Sequence, residues 1–211
     1  MTALHFTLVA DGSSDRVLLR HLDWLVREHL PQAVPVYPQW ADLRALRERP
    51  RGLAERIAAA LDLYPCDLLF IHRDAEREDP AVRYAEIAES VDSLGIETPP
   101  FVCVVPVRMT EAWLLFDEEA VRLAAGNPHG RESIPIPANT PDHIPDPKAT
   151  LHDALRQASG LFGRRRQDRK IQEAVHRVAD YIDDFSPLRR LAAFARLEKE
   201  LETVIEGIVG R

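Results

Sequence analysis

The sequence predicts an α/β fold with a mainly parallel sheet flanked by helices, on three observations. Apolar runs of strand length recur at "HFTLVAD" (5–11), "CDLLFIH" (66–72) and "FVCVVPV" (101–107), and a segment of helical character follows each of them. The chain has 211 residues, 45% of them hydrophobic, enough to bury a substantial core. Strands that alternate with helices are the pattern of βα units sharing one sheet.

The first run ends at Asp11 and is closed by "DGSSD", a turn signal mixed with N-cap candidates, so a helix is expected next. In "DRVLLRHLDWLVREHL" (15–30), Leu18, Leu22 and Leu25 recur at spacings of four and three and share one face. "AVPVYPQW" (33–40) reads as a short second strand that Pro35 and Pro38 confine to a sheet edge or an irregular segment. "LAERIAAALDLY" (53–64) is rich in helix formers and leads into the run at 66–72. Pro80 suits a first helical position, Tyr84, Ile87, Ala88 and Val91 line one face, and Gly95 ends that helix. After the β-branched run at 101–107, Thr110 is placed to cap a helix through "EAWLLFDEEAVRLAAG" (111–126).

Residues 126–147 hold six prolines and no periodicity, the mark of a functional loop or a linker. This stretch separates an α/β core over 1–125 from a C-terminal helical extension over 148–211, expected to pack on the core as one compact unit. In the extension Ile171, Ala174, Val175, Val178 and Ile182 form an apolar stripe. Ser186 and Pro187 read as N-cap and first residue of a last helix that turns Phe194, Leu197, Leu201, Val204, Ile205 and Ile208 inward.

Composition narrows the function. A net charge of −7 opposes indiscriminate attachment to nucleic acid, so any polyanion contact must be local. The densest basic cluster is "GRRRQDRK" (163–170), with Arg164, Arg165, Arg166, Arg169 and Lys170; taken alone it is a solvated turn before a helix. Cys66 and Cys103 both sit inside apolar runs, as buried thiols do in a reducing compartment, and imply neither a disulfide framework nor a zinc site. With no secretory leader pattern and no apolar stretch of about 18 residues, a cytoplasmic protein without a membrane span is expected.

The chemistry is concentrated at strand ends. In a parallel α/β sheet the carboxyl ends of the strands open on one edge, and ligands bind there. The first run ends at Asp11, the third leads into Asp74 and Glu76, and the fourth leads into Glu111, so four acids from three segments are candidates to converge. Each has a plainer use, in a turn, at an N-cap or against a helix dipole. Together they suggest a hard-cation site, since Mg²⁺ is held by one or two carboxylates with water and substrate phosphate. In an extended segment Asp74 and Glu76 would also point to the same side.

These stretches resemble a known group of proteins. "VADGSSD" with its following helix, then "LLFIHRDAE", resembles the two signatures of the Toprim domain of topoisomerases, primases and OLD-family nucleases, a Rossmann-like fold. "VPVRMTEAWLLFD", "DPKATL" and "FSPLRRLAAFARLEKEL" resemble the bacterial DUF4276 family of Toprim-like proteins over nearly the whole chain. The resemblance implies Asp11 as general acid or base and metal ligand, Gly12 as the signature glycine, Asp74 and Glu76 as Mg²⁺ or Mn²⁺ ligands, and Glu111 as a further catalytic or orienting acid. Two positions depart from it: aspartate stands at 11 where Toprim proteins have glutamate, and glutamate at 76 where they have aspartate. A displacement of about 1 Å at a reacting group costs roughly 100-fold in rate, so the departures bear on cleavage more than on cation binding.

The expected activity is Mg²⁺-dependent cleavage of phosphodiester bonds in DNA or RNA, in the phage-defence or mobile-element setting that the resemblance implies. Arg73, Arg77, Arg108 and the cluster at Arg164, Arg165, Arg166, Arg169 and Lys170 would hold backbone phosphates. The alternative is a non-catalytic module that docks a partner such as an ATPase. Phosphoryl transfer through an aspartyl intermediate is poorer, because "DAERE" lacks the threonine or glycine expected after a second aspartate, and no P-loop or dinucleotide fingerprint occurs. The histidines show no zinc spacing, with His72 beside Asp74 the one of interest, and Trp113 reads as a packing anchor before a base-stacking platform.

Overall fold

A computed structural model describes residues 2–76, 78–136, 144–160 and 164–210, with the backbone alone over 164–170. Packing divides the chain into two compact units, Met1–Val107 with Ala193–Arg211, and Arg108–Ala192. The sequence reading divides it at 125 instead. The last helix groups with the sheet, and the segment that follows the fourth strand groups with the helices.

The first unit is built on strands β1 (Leu4–Val9), β2 (Val36–Trp40), β3 (Leu68–His72) and β4 (Phe101–Val104), with helices α1 (Leu18–His29), α2 (Leu53–Leu63) and α3 (Pro80–Asp92) between them. All pairings are parallel and the order is β2-β1-β3-β4, which confirms the α/β class. β1 and β3 are central and buried on both faces, hence their continuous apolar runs. The second strand forms and lies at the edge, where Pro38, paired in register with Phe6, has no outer strand to serve.

Alternation sorts the strand residues onto two faces. Val9, Leu69, Ile71 and Cys103 pack with Ile57 and Ala60 of α2 and Ile87 and Val91 of α3. On the opposite face Phe6 meets Phe70 edge to face, 5.1 Å between centroids. Helix α7 (Ala192–Val209) guards the β4 edge: Glu200 accepts the Cys103 backbone N–H at 3.0 Å, a donor that an edge strand otherwise leaves open. Arg196 lies over the Tyr84 ring of α3, and Glu198 meets His29 of α1 at 2.9 Å.

Burial pushes the Cys103 thiol up to about 12 and raises Cys66 above its ordinary value. The thiolate is the reactive form, so iodoacetamide at pH 8 is expected to label both cysteines about tenfold or more slowly in the folded protein than in urea. Mass spectrometry after timed quenching checks this. Labelling of Cys103 at the unfolded rate would contradict it.

The second unit holds α4 (Glu118–Ala124), α5 (Pro147–Ser159) and α6 (Arg164–Val178). Asp146 caps α5 by accepting from the Ala149 N–H, Pro147 takes the first position, and Gly160, at φ 61°, ends the helix in the left-handed region. Two expectations are corrected here. Thr110–Leu114 is a 3₁₀ turn, and the α-helix begins only at Glu118, because the Asp117 carboxylate accepts from the Ala120 N–H and restarts the helix in mid-segment. Ser186 does not cap the last helix: it bonds Asp184 and opens a 3₁₀ turn, Ser186–Arg190, ahead of α7. Trp113 is fully buried, a packing anchor as expected. Among the described residues no helix is long and apolar enough to cross a membrane.

Candidate functional site

The strand order decides where a ligand has room. From β1 the chain passes to β2 on one side, and from β3 it passes to β4 on the other, so the carboxyl ends of β1 and β3 flank the point where the winding reverses. Crossovers leave that point in opposite directions and open a crevice between them. Asp11 to Asp15 follow β1 there, and Arg73 to Glu76 follow β3.

The loop after β1 is organised by Asp15. Its buried carboxylate accepts from the Gly12 N–H at 2.9 Å and the Ser14 hydroxyl at 3.1 Å. The same carboxylate lies 3.9 Å from Nε2 of His72, which is 1% exposed at the end of β3. On its other side Nε2 is 3.6 Å from Asp74. Nδ1 of His72 meets the Val104 carbonyl at 3.0 Å, which assigns the donor proton to Nδ1 and turns Nε2 toward the two carboxylates.

Beyond His72 the backbone keeps the pairing of the sheet, with the Arg73 N–H on Val104 O at 3.1 Å and the Ala75 N–H on Pro106 O at 3.0 Å. Alternation therefore places His72 and Asp74 on one face and Arg73 and Ala75 on the other. Glu76 breaks the pattern at φ 56°, a left-handed conformation that costs a non-glycine residue about 1–2 kcal/mol. The predicted same-side pair of Asp74 and Glu76 is thus replaced by His72 and Asp74. Glu76 stands exposed in the turn.

Asp11 occupies the opposite face. One oxygen of its carboxylate pairs with Arg56 of α2 and the other with Arg73, which also holds Glu86 at 2.9 Å. Asp11, Arg56 and Arg73 border a cavity of about 410 Å³ that Arg44 and Arg49 also line, with Gly12, Ser13, Trp40, Leu43 and Pro50 in its walls. Arg44 is fixed by a two-pronged contact to Asp42, 2.7 Å on each prong. The guanidinium holds the Asp42 carboxyl down to about 2, so the pair persists above its ordinary value of 3.8 and is lost only as pH falls toward 2.

Asp11 and Asp74 therefore lie at one sheet edge with different partners. Among the described residues no three His, Cys, Asp or Glu side chains are grouped to hold a metal ion. Asp74 is a carboxylate, the hard donor that Mg²⁺ and Mn²⁺ take and complete with water or phosphate, so its chemistry fits those ions, while Glu76 is carried out of its alternation by the turn. Asp11 is committed to two guanidinium groups.

Glu111 is buried in the 3₁₀ turn of the second unit, and Arg108 precedes it there. Arg77 lies outside the described residues. Arg164, Arg165, Arg166, Arg169 and Lys170 open α6, but their side chains lie outside the described residues. Sequence reasoning missed the arginine cavity: Arg56 looks like one charge on the solvated face of a helix, and Arg44 and Arg49 like loop charges. It also read Asp15 only within a turn and N-cap signal, whereas its carboxylate reaches back to the Gly12 N–H and closes the loop.

Searches among curated proteins and among solved structures return no match. A family model matches residues 16–202, which take in Arg73 to Glu76 at the winding-reversal edge and not Asp11 to Asp15. The chain belongs to the DUF4276 family, described as a domain of unknown function.

Proposed function

We propose that the protein hydrolyses phosphodiester bonds in nucleic acid with the help of Mg²⁺ or Mn²⁺, on a Toprim-like core. The observation that carries this reading is the pairing, at one sheet edge, of carboxylates at His72 with guanidinium groups around Asp11: oxygen donors for a cation beside cationic donors for a phosphate. Asp74 would hold the ion, with water and substrate phosphate completing its shell. Bound there, the ion would polarise a phosphoryl oxygen and lower the pKa of a water. His72 stands beside Asp74 at 3.6 Å on the same face, and Arg56 and Arg73 would orient phosphate by forked hydrogen bonds. Asp11 is the group placed to take or give a proton once a phosphate has claimed its guanidinium partners.

The test is incubation of supercoiled plasmid and structured RNA with the protein in Mg²⁺, in Mn²⁺ and in EDTA. Cleavage that EDTA abolishes is expected. Intact substrates in every condition would overturn the reading. A second reading, a non-catalytic module that docks a partner such as an ATPase, draws on the absence among the described residues of a three-ligand metal group. It predicts a partner complex that survives neutralisation of Asp74 and Glu76.

A further inference from the structure

The cavity beside Asp11 carries charge that its own walls do not use. Four guanidinium groups reach it from separate pieces of chain: Arg44 from the turn after β2, Arg49 from the loop that follows, Arg56 from α2 and Arg73 from beyond β3. Arg44 is neutralised by Asp42, and Arg73 shares Glu86 with Arg83. Arg56 has Asp11 as its ion-pair partner, and Arg49 makes no ion pair among the described residues. The indole N–H of Trp40, another wall residue, is buried without a hydrogen-bond partner.

Asp11 marks where an anion rests in this cavity. If an incoming anion displaces it, Arg49 and Arg56 are left with two uncompensated positive charges. A phosphate monoester carries about −1.5 to −2 at pH 7 and matches them, whereas the single charge of an internal phosphodiester does not. The remaining wall, Leu43, Pro50 and the Trp40 indole, over whose ring Arg44 lies 5.0 Å from the centroid, is apolar and aromatic, suited to the flat face of a base. A volume of about 410 Å³ lies within the range of about 300–1,000 Å³ usual for small-molecule pockets.

We infer that this cavity binds the terminal phosphate monoester of a nucleotide, with Asp11 as the internal anion that the phosphate displaces. The inference deepens the reading above by naming what the arginine face holds, and rests on it only for taking nucleic acid as a source. The same chemistry is offered by a free mononucleotide and by a phosphorylated strand end.

The experiment measures binding in EDTA, where metal-dependent cleavage cannot proceed. The probes are a fluorescent oligonucleotide phosphorylated at its 5′ or 3′ end, the same strand with hydroxyl ends, and AMP as competitor. A phosphorylated end is expected to bind about tenfold or more tightly than a hydroxyl end, and Arg49→Ala or Arg56→Ala to remove that preference. Asp11→Asn is expected to bind phosphate more tightly, because the competing anion is gone. AMP binding without a preference for phosphorylated strands would support the pocket and assign it to free nucleotide. Equal affinity for both strand ends with no AMP binding would overturn the inference, as would an unchanged preference in Arg49→Ala. A protein that passes this test and leaves plasmid and RNA intact in Mg²⁺ would separate the failure of the cleavage reading from the success of this one.

Discussion

Asp74→Asn is expected, on the proposed function, to lower the rate of divalent-dependent cleavage by about 10²–10³-fold, the several kcal/mol that a bound ion would contribute to a phosphoryl transition state. The substitution keeps the shape of the side chain and removes its charge. It should leave the fold intact: Asp74 is half-buried, its backbone carbonyl still accepts from Arg83 at 3.1 Å, and His72 remains fixed by Val104. Circular dichroism and the thermal midpoint should therefore change little while turnover collapses. Residual activity near the normal level, with binding of phosphorylated strands unaltered, would remove Asp74 from the chemistry and leave the edge as a binding surface.

Phe70→Ala is expected to lower the unfolding free energy by about 3–5 kcal/mol. Phe70 is fully buried in the middle of β3, in register with Leu8 and Val102, with its ring against Phe6. Truncation removes apolar contacts on the face opposite α2 and α3 and leaves a cavity that paired strands cannot close. A domain is stable by about 5–15 kcal/mol in total, so the loss is a large share. It should appear as a lower urea midpoint with a similar slope. Val82→Ala, at a side chain 50% exposed on α3, should shift stability by no more than about 0.5 kcal/mol. Equal midpoints for the two variants would contradict the packing described for β3.

Much of the fold was legible because its signals are local. The strand runs and Pro80 at a first helical turn depend on residues within a few positions of each other. Where the reading departed, a side chain competed for the backbone: Asp117 restarted a helix and Asp184 drew Ser186 away from one. The strand-end acids were legible as candidates, since parallel order sends every carboxyl end to one edge. Their partners were not. Extended pairing beyond β3 put His72 and Asp74 on one face, and the left-handed turn at Glu76 took that acid out of the alternation.

By itself, then, the sequence determined the α/β class, the strands that begin near residues 5, 66 and 101 and the placement of Asp11, Asp74 and Glu76 after strand ends, because hydrophobic period and turn chemistry act over short stretches of chain. Only the tertiary structure decided that β2 and β4 lie outside β1 and β3, that α7 guards the β4 edge through Glu200, and that Arg44, Arg49, Arg56 and Arg73 meet around Asp11. Those outcomes depend on which strand lies beside which and on which face each side chain points to. Both are set by burying apolar faces against distant parts of the chain, and no short window of sequence contains that information.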